Sequence, residues 1–533
     1  MSVFLVLIGL LYFSQRRLLQ YLRYLQQEEY DNRRFYKWLQ QNKAFDTHAT
    51  LLLLCASLLS WLTDADLLIS LSTMLAFFLL VNFSDDPRKK GKIKLKMTER
   101  ATRIYRFSLA EFMLITALIT LSVLLQTQSS IIFLLALAIF IQFTPFVLMS
   151  ANFILQRDEN KRQTQFLNEA KAIFAQVNPY VIGITGSYGK TSTKDALGNI
   201  LQIALGATFW PAKGINTPMG ITREIRSRLH LGTSYAVIEM GAYGIGSIKR
   251  LCDLTPPHAA IITTIGSAHL ERFGSLENIR IAKSELARAL PPDGILVCNG
   301  DNPGARQIAM EANVKTKLLY GFEEHLGPLD CKISSWITTP KGTSFTIEFQ
   351  GQRYEGHSPL FGKAALSNVV ASFTMACALG CNPELVLAVI RNLEPVDNRL
   401  QVRKDGPITY LNDGYNSNPE GFQSALEILS KLPGERRILM TPGMIELGPL
   451  HYSENERLGE LAGEVCDLAL VVGKTNREPL VAGLLKGGLA NERIIWCENR
   501  DQAFSELATL RRPGDLILIE NDLPDLYEAR PRF

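Results

Sequence analysis

The chain has 533 residues, with 56 Lys and Arg against 52 Asp and Glu and a formal charge of +4. That length gives room for about three or four domains; so mild a charge says little about nucleic acid, and none is expected as a partner. Mean hydropathy is slightly positive, high for a soluble enzyme, and the apolar excess lies before residue 152. The eight cysteines (Cys55, Cys252, Cys298, Cys331, Cys377, Cys381, Cys466 and Cys497) form no C-x-x-C pair and have no histidine cluster beside them. They read as buried thiols of a reducing compartment, not as a disulfide framework or a zinc site.

Residues 2–13, 47–62, 67–83, 108–125 and 131–151 are dominated by Leu, Ile, Phe, Val, Ala and Met. Several approach the ~20 residues that span a bilayer, so residues 1–151 read as a transmembrane domain of about five helices. No small-residue cleavage site follows the first run; Ser14-Gln15-Arg16-Arg17 does, which marks an uncleaved anchor. Arg16, Arg17, Arg23, Arg33 and Arg34 follow the first run, Arg88 to Arg106 separate the third from the fourth, and Arg157, Lys161 and Arg162 follow the fifth. The loops at 63–66 and 126–130 carry no Lys or Arg. The bias puts the basic segments and everything after residue 151 in the cytoplasm, on a multi-pass protein of the plasma membrane. The basic loops either only set topology or also hold anionic membrane lipids.

Residues 152–178 are polar and helical, a linker between the apolar region and an α/β region. From 179 to 394, short apolar runs alternate with helical stretches, as in a mostly parallel sheet covered by helices. Within it stands Gly183-Ile184-Thr185-Gly186-Ser187-Tyr188-Gly189-Lys190-Thr191-Ser192-Thr193-Lys194. Counted from Gly183 the strict phosphate-loop spacing is missed by one residue, but the G-K-T core is intact. An apolar strand, Tyr180 to Ile184, precedes it and a helix, Asp195 to Leu205, is expected after it. That context suits a phosphate loop: the amides of Gly186, Ser187 and Gly189 close round a nucleoside triphosphate, Lys190 reaches its phosphates, and Thr191 meets Mg²⁺. Glu239 ends the run Tyr235 to Ile238 and is either a Mg²⁺ ligand or a loop cap. His269 follows another strand end and is a ligand or structural; Lys283, on a helical stretch, is by default a solvated lysine. Ser344 to Phe349 alternates as an antiparallel strand does. From 395 to 533 a second α/β pattern runs through strands at 437–440, 468–472, 493–496 and 515–519.

Taken together, G-I-T-G-S-Y-G-K-T-S-T-K, I-E-M-G-A, H-L-E-R-F-G-S-L-E-N, A-K-S-E-L, N-R-L-Q, N-D-G-Y-N-S-N-P-E and G-M-I-E-L-G resemble the Mur ligase family, most closely its MurF type. The motifs occur in the family's order between 183 and 448, and the resemblance extends over about residues 170–533. It implies a phosphate-loop central domain followed by a Rossmann-like C-terminal domain, and an ATP-dependent carboxylate–amine ligase. It implies ATP contacts at Gly186, Ser187, Gly189, Lys190, Thr191, Ser192, Asn368, Arg399, Asp413 and Asn416. It places Thr191, Glu239 and His269 at two Mg²⁺ ions, and matches Lys283 to a carbamylated lysine that helps hold the second. Lys190, His269 and Lys283 are thereby the candidate catalytic residues.

The chain also departs from the family's pattern. The usual G-x-H-N-x-x-N is here Gly362-Lys363-Ala364-Ala365-Leu366-Ser367-Asn368, and Asn412 stands where Asp is usual. A membrane domain stands where the family carries the domain that grips a UDP-sugar. The expected reaction is amide ligation in cell-envelope synthesis, between an amine (an amino acid or dipeptide) and a carboxylate acceptor that is lipid-linked or delivered at the membrane. A poly-γ-glutamate-type capsule synthase is the alternative within the same chemistry, and a transport or regulatory NTPase the alternative outside it.

Overall fold

In the computed structural model the residues described are 2–63, 65–89, 93–125, 130–212, 214–394, 400–414 and 418–521. They divide into two units, one ending at Gln163 and the other running from Thr164.

The first unit is helical: α1 (Ser2–Gln27), α2 (Asn32–Asn42), α3 (Thr47–Leu62), α4 (Asp66–Phe83), α5 (Glu99–Leu125), α6 (Ser130–Ile141) and α7 (Thr144–Val177), whose last turns belong to the second unit. It has two apolar cores. One gathers Leu10, Phe13, Leu53, Phe77, Phe112 and Leu137; the other gathers Tyr21, Leu22, Phe35, Trp38, Ile104 and Leu148. Around the first core the outward residues are apolar as well: Leu58, Trp61, Leu68, Leu79, Leu114 and Leu118 are each at least half exposed. Among the described residues three helices, Val3–Gln27, Asp66–Phe83 and Glu99–Leu125, are long and apolar enough to cross a membrane, or up to five if each bent pair counts as one, by length and composition.

Two expectations for this unit change. The first apolar run does not end its helix, because α1 continues to Gln27 on a face that packs Leu18, Tyr21, Leu22 and Leu25 inside. The run 131–151 is not one straight helix: α6 and α7 meet at a bend of 56°. Pro145 sits in the first turn of α7, where its ring cannot coexist with a helical carbonyl at Ile141, the last residue of α6. The linker 152–178 is the continuation of that second helix. Lys90 and Lys92 of the basic loop lie outside the described residues.

The second unit holds two sheets. The larger has β1 (Tyr180–Thr185), β2 (Thr208–Phe209), β3 (Tyr235–Glu239), β4 (Ala259–Ile262), β5 (Ile295–Asn299), β6 (Thr316–Gly321), β7 (Cys331–Thr339), β8 (Gly342–Phe349) and β9 (Gln352–Ser358), in the order β2-β3-β1-β4-β5-β6-β7-β8-β9. Pairing is parallel up to β7 and antiparallel from β7 to β9. The expected change of character near 316–357 is real, yet these strands extend the same sheet. Consecutive strand residues serve opposite faces. Val181, Ile238 and Ile262 enter one core; Ile182, Val237 and Ile261 enter the other. Burial on both faces is why these strands read as unbroken apolar runs.

The smaller sheet has β10 (Gln401–Asp405), β11 (Ile408–Asp413), β12 (Arg436–Thr441), β13 (Leu468–Val472), β14 (Ile494–Cys497) and β15 (Asp515–Glu520), in the order β10-β11-β15-β12-β13-β14. Only β10 pairs antiparallel. All eight cysteines are free thiols; Cys55 is exposed, against the expectation of burial, and Cys377 is half-buried.

Candidate active site

In the larger sheet the chain leaves β1 for β2 and β3 on one side and returns to β4 on the other. The crevice at the carboxyl ends of these strands is where such sheets bind ligands. The loop Gly186–Gly189 lies there, between β1 and the helix α8 (Lys190–Ala204). This helix starts five residues before the expected Asp195, since the loop turns directly into it at Gly189. Gly186 has φ +152, and a Cβ on it would lie 1.9 Å from Thr263 Oγ1. Gly189 has φ +79, and its Cβ would lie 2.1 Å from Asn368 Oδ1. Bare backbone at the N-terminus of α8 is a cradle for an anion. The cradle is tied to the loop that follows β4: Ser187 N donates to Thr264 O at 2.6 Å, and Ser187 Oγ donates to Gly266 O at 3.0 Å. Lys190 Nζ donates to Gly186 O at 2.7 Å and to Ser187 O at 3.1 Å. Gly186→Ala should therefore disrupt the loop by roughly 1–3 kcal/mol of backbone strain and lose most ADP affinity, measured by calorimetry alongside a melting curve.

Beside the loop is a buried polar cluster. Glu239, the last residue of β3, is buried; its Oε2 accepts from Thr191 Oγ1 at 2.8 Å and its Oε1 from Asn216 Nδ2 at 3.0 Å. Lys194 is wholly buried, 4.0 Å from Glu239, and donates to Pro211 O at 2.7 Å. Lys283 is only 3% exposed, so the reading of a solvated lysine is corrected. Its helix, Leu276–Arg288, buries Ile279, Ala282, Leu286 and Ala287, and Lys283 falls on that same face by the i, i+4 spacing. Burial pushes the Lys283 amine well below the usual lysine range; the charge of Lys190 adds to this and Glu239 opposes it.

His269 caps the short helix Leu270–Phe273 with φ +60. Its Nδ1 pairs with the carboxylate of Glu446, and its ring lies 5.7 Å from that of Tyr243. Among the described residues no three His, Cys, Asp or Glu side chains converge as metal ligands. The donor set still suits Mg²⁺, which takes one or two carboxylates and fills its remaining positions with phosphate oxygens and water. Thr191 and Glu239 are of that kind.

A cleft of about 490 Å³ opens on the loop. Tyr188, Gly189, Ser192 and Asn368 line one side; Asp413, Asn418 and Glu420, from the second α/β segment, line the other. Asp413 Oδ1 accepts from Leu400 N at 3.0 Å, and Asn418 caps the helix Pro419–Lys431. Ala364 and Ala365 face the cleft, so the departure from the family's His-Asn pair falls where a ligand would lie. Arg399 and Asn416 lie outside the described residues. Sequence reasoning missed Asn299 at the end of β5, Asp301 and Asn302 just after it, and Phe322 just after β6, all of which line the cleft. Their signal was available: polar residues at the carboxyl end of a parallel strand. Asn216 and Glu446 were missed too, because both act through contacts distant in sequence.

The sequence matches the Mur ligase middle domain over residues 184–376 and the Mur ligase, glutamate ligase domain over 398–520. It is 31% identical to the UDP-N-acetylmuramoyl-tripeptide–D-alanyl-D-alanine ligase of Bacillus subtilis strain 168, over 68% of this chain and 78% of that protein. The chain belongs to the Mur ligase family. It is 31% identical also to the ligase of the same name from Escherichia coli K12, over 56% of this chain and 66% of that one. The structure of the MurF ligase from Thermotoga maritima in complex with ADP superposes with a TM-score of 0.60 at 26% identity, covering 68% of this chain and 80% of that one. This Mur ligase is thus an ATP-dependent, amide-bond-forming enzyme with the α/β middle and C-terminal domains of a MurF-like protein.

Proposed function

We propose that this Mur ligase joins an amine, an amino acid or a dipeptide such as D-alanyl-D-alanine, to a muramoyl-peptide-type carboxylate presented at the membrane, at the expense of ATP. The observation that carries the reading is the phosphate loop set against the buried Thr191–Glu239 pair and Lys283, under a cleft lined by both α/β segments. The names of its relatives supply the substrate class.

The loop amides and Lys190 bind the phosphates of ATP, with Ser192, Asn368, Asp413, Arg399 and Asn416 as further nucleotide contacts. Thr191 and Glu239 would hold one Mg²⁺, and His269 and Lys283 a second; ions bound there would supply charge neutralisation on the transferring group. The acceptor carboxylate attacks the γ-phosphorus, ADP leaves, and an acyl phosphate forms. The amine then attacks the acyl carbon; phosphate leaves, the nitrogen loses a proton, and the amide bond is made. Lys283 is read as carbamylated. Its buried amine, held toward the neutral form, adds to CO₂ and releases a proton, which turns a cation into a metal-binding anion.

Residues 1–151 are read as a multi-pass membrane domain, with the ligase domains, 179–394 and 395–533, in the cytoplasm. The outward-facing Leu and Trp residues of the first unit support this, because in water such a belt would remain uncovered. The test uses detergent-purified protein with ATP, Mg²⁺ and candidate acceptors. ADP release should require both acceptor and amine; release that ignores the amine would remove the ligase reading. A truncated chain beginning at Asn152 should keep its rate on a soluble muramoyl peptide. On the membrane-presented acceptor it should lose about 10²-fold, because tethering no longer raises the local concentration. Equal rates on the native acceptor would reduce the first unit to an anchor.

A further inference from the structure

Glu446 stands on the loop after β12, in the second α/β segment. Met444 and Leu447 on either side of it are buried in that segment's core. Asn455 fixes the loop, accepting from Met444 N at 2.8 Å and donating to Met444 O at 3.1 Å. Glu446 itself is held at φ +62, a region non-glycine residues rarely occupy, and His269 opposite is at φ +60. The Glu446 carboxylate takes the Nδ1 of His269 on one oxygen and Arg272 on the other, the latter at 3.3 Å, while Glu271 N donates to Glu446 O at 3.4 Å. Two strained backbones thus meet where the two α/β segments touch. The contacts continue inward. The Arg272 guanidinium lies 5.6 Å over the Tyr243 ring, Tyr243 Oη donates to Asn216 Oδ1 at 3.5 Å, and Asn216 Nδ2 holds Glu239.

We infer that Glu446 is a positioning residue: it fixes the ring of His269 and makes the seating of the C-terminal segment a condition for assembling the second metal position. A carboxylate at Nδ1 selects the Nδ1–H tautomer and leaves Nε2 as the ligand atom, as acidic partners of metal-bound histidines do. The inference rests on the reading of His269 as a metal ligand. It adds a residue from the other segment, through which domain seating controls that ligand.

The test uses the full-length protein in detergent with a non-hydrolysable ATP analogue and Mn²⁺, bound ions being followed by electron paramagnetic resonance. His269→Ala should lose one of the ions bound by wild type. Glu446→Ala should bind that same ion about 10–100-fold more weakly, with nucleotide affinity unchanged. Its kcat should fall by a similar factor at constant KM for ATP. Glu446→Gln, whose amide oxygen still accepts from Nδ1–H, should recover most of the loss. Hydrogen exchange at residues 268–274 in the nucleotide-free protein should quicken in Glu446→Ala. If Glu446→Ala binds both ions as wild type while His269→Ala loses one, the positioning role is wrong and the reading of His269 stands. If His269→Ala keeps both ions, the reading beneath it fails.

Discussion

Lys190→Ala is expected to lower ATP turnover by about 10²–10³-fold, the loss typical when a charge-stabilising donor is removed from a closed site. The side chain sits in the first turn of α8, on the carbonyls of its own loop, and fills no part of either core. Stability should therefore hardly change, and the helix start should persist because Gly189 sets it. Coupled ADP-release kinetics and a melting curve on the same preparation separate the two effects. Turnover at the wild-type rate would mean that the loop does not serve ATP chemistry.

Lys283→Ala should abolish ligation while leaving nucleotide binding near wild type. The amine lies in a buried cluster, where the positive charge of Lys190 disfavours a second cation. An anion at that position would be favoured by Lys190 and would supply a ligand for a metal. A short-chain carboxylic acid added to Lys283→Ala should restore part of the activity by occupying the vacated place. Lys283→Arg, which keeps a cation and cannot add CO₂, should be inactive and not rescued. Full activity in Lys283→Ala would show that the carbamate is not needed. Folding should tolerate the alanine, because the lost alkyl packing is offset by removal of a buried ionisable group.

Much of this protein was legible in the chain alone. Strands buried on both faces announce themselves as unbroken apolar runs, so β1, β3, β4, β5 and β12 to β15 were found within a residue or two, whereas the half-exposed β10 and β11 were not read. The phosphate loop was legible because its glycines answer a local demand, two backbone positions that no side chain can occupy. The apolar runs of α3, α4 and α5 were legible for a like reason, each being long enough to be recognised without its neighbours, whereas the bend between α6 and α7 was not.

What needed the tertiary structure was everything set by burial or by distant partners. Lys283 looks solvated in a linear reading and is enclosed in fact, since its helix turns Ile279, Lys283 and Leu286 to the same interior. The start of α8 at Lys190 depends on a turn at Gly189 packed against Asn368, almost two hundred residues away. Asn299, Asp301 and Asn302 become cleft residues only when β5 takes its place in the sheet. Glu446 meets His269 only when the two α/β segments are seated on each other. Local propensity and hydrophobic periodicity act over a few residues, so the sequence by itself determined the elements, the loop and the class of chemistry. Which polar groups are buried together depends on long-range packing, and only the tertiary structure decided that.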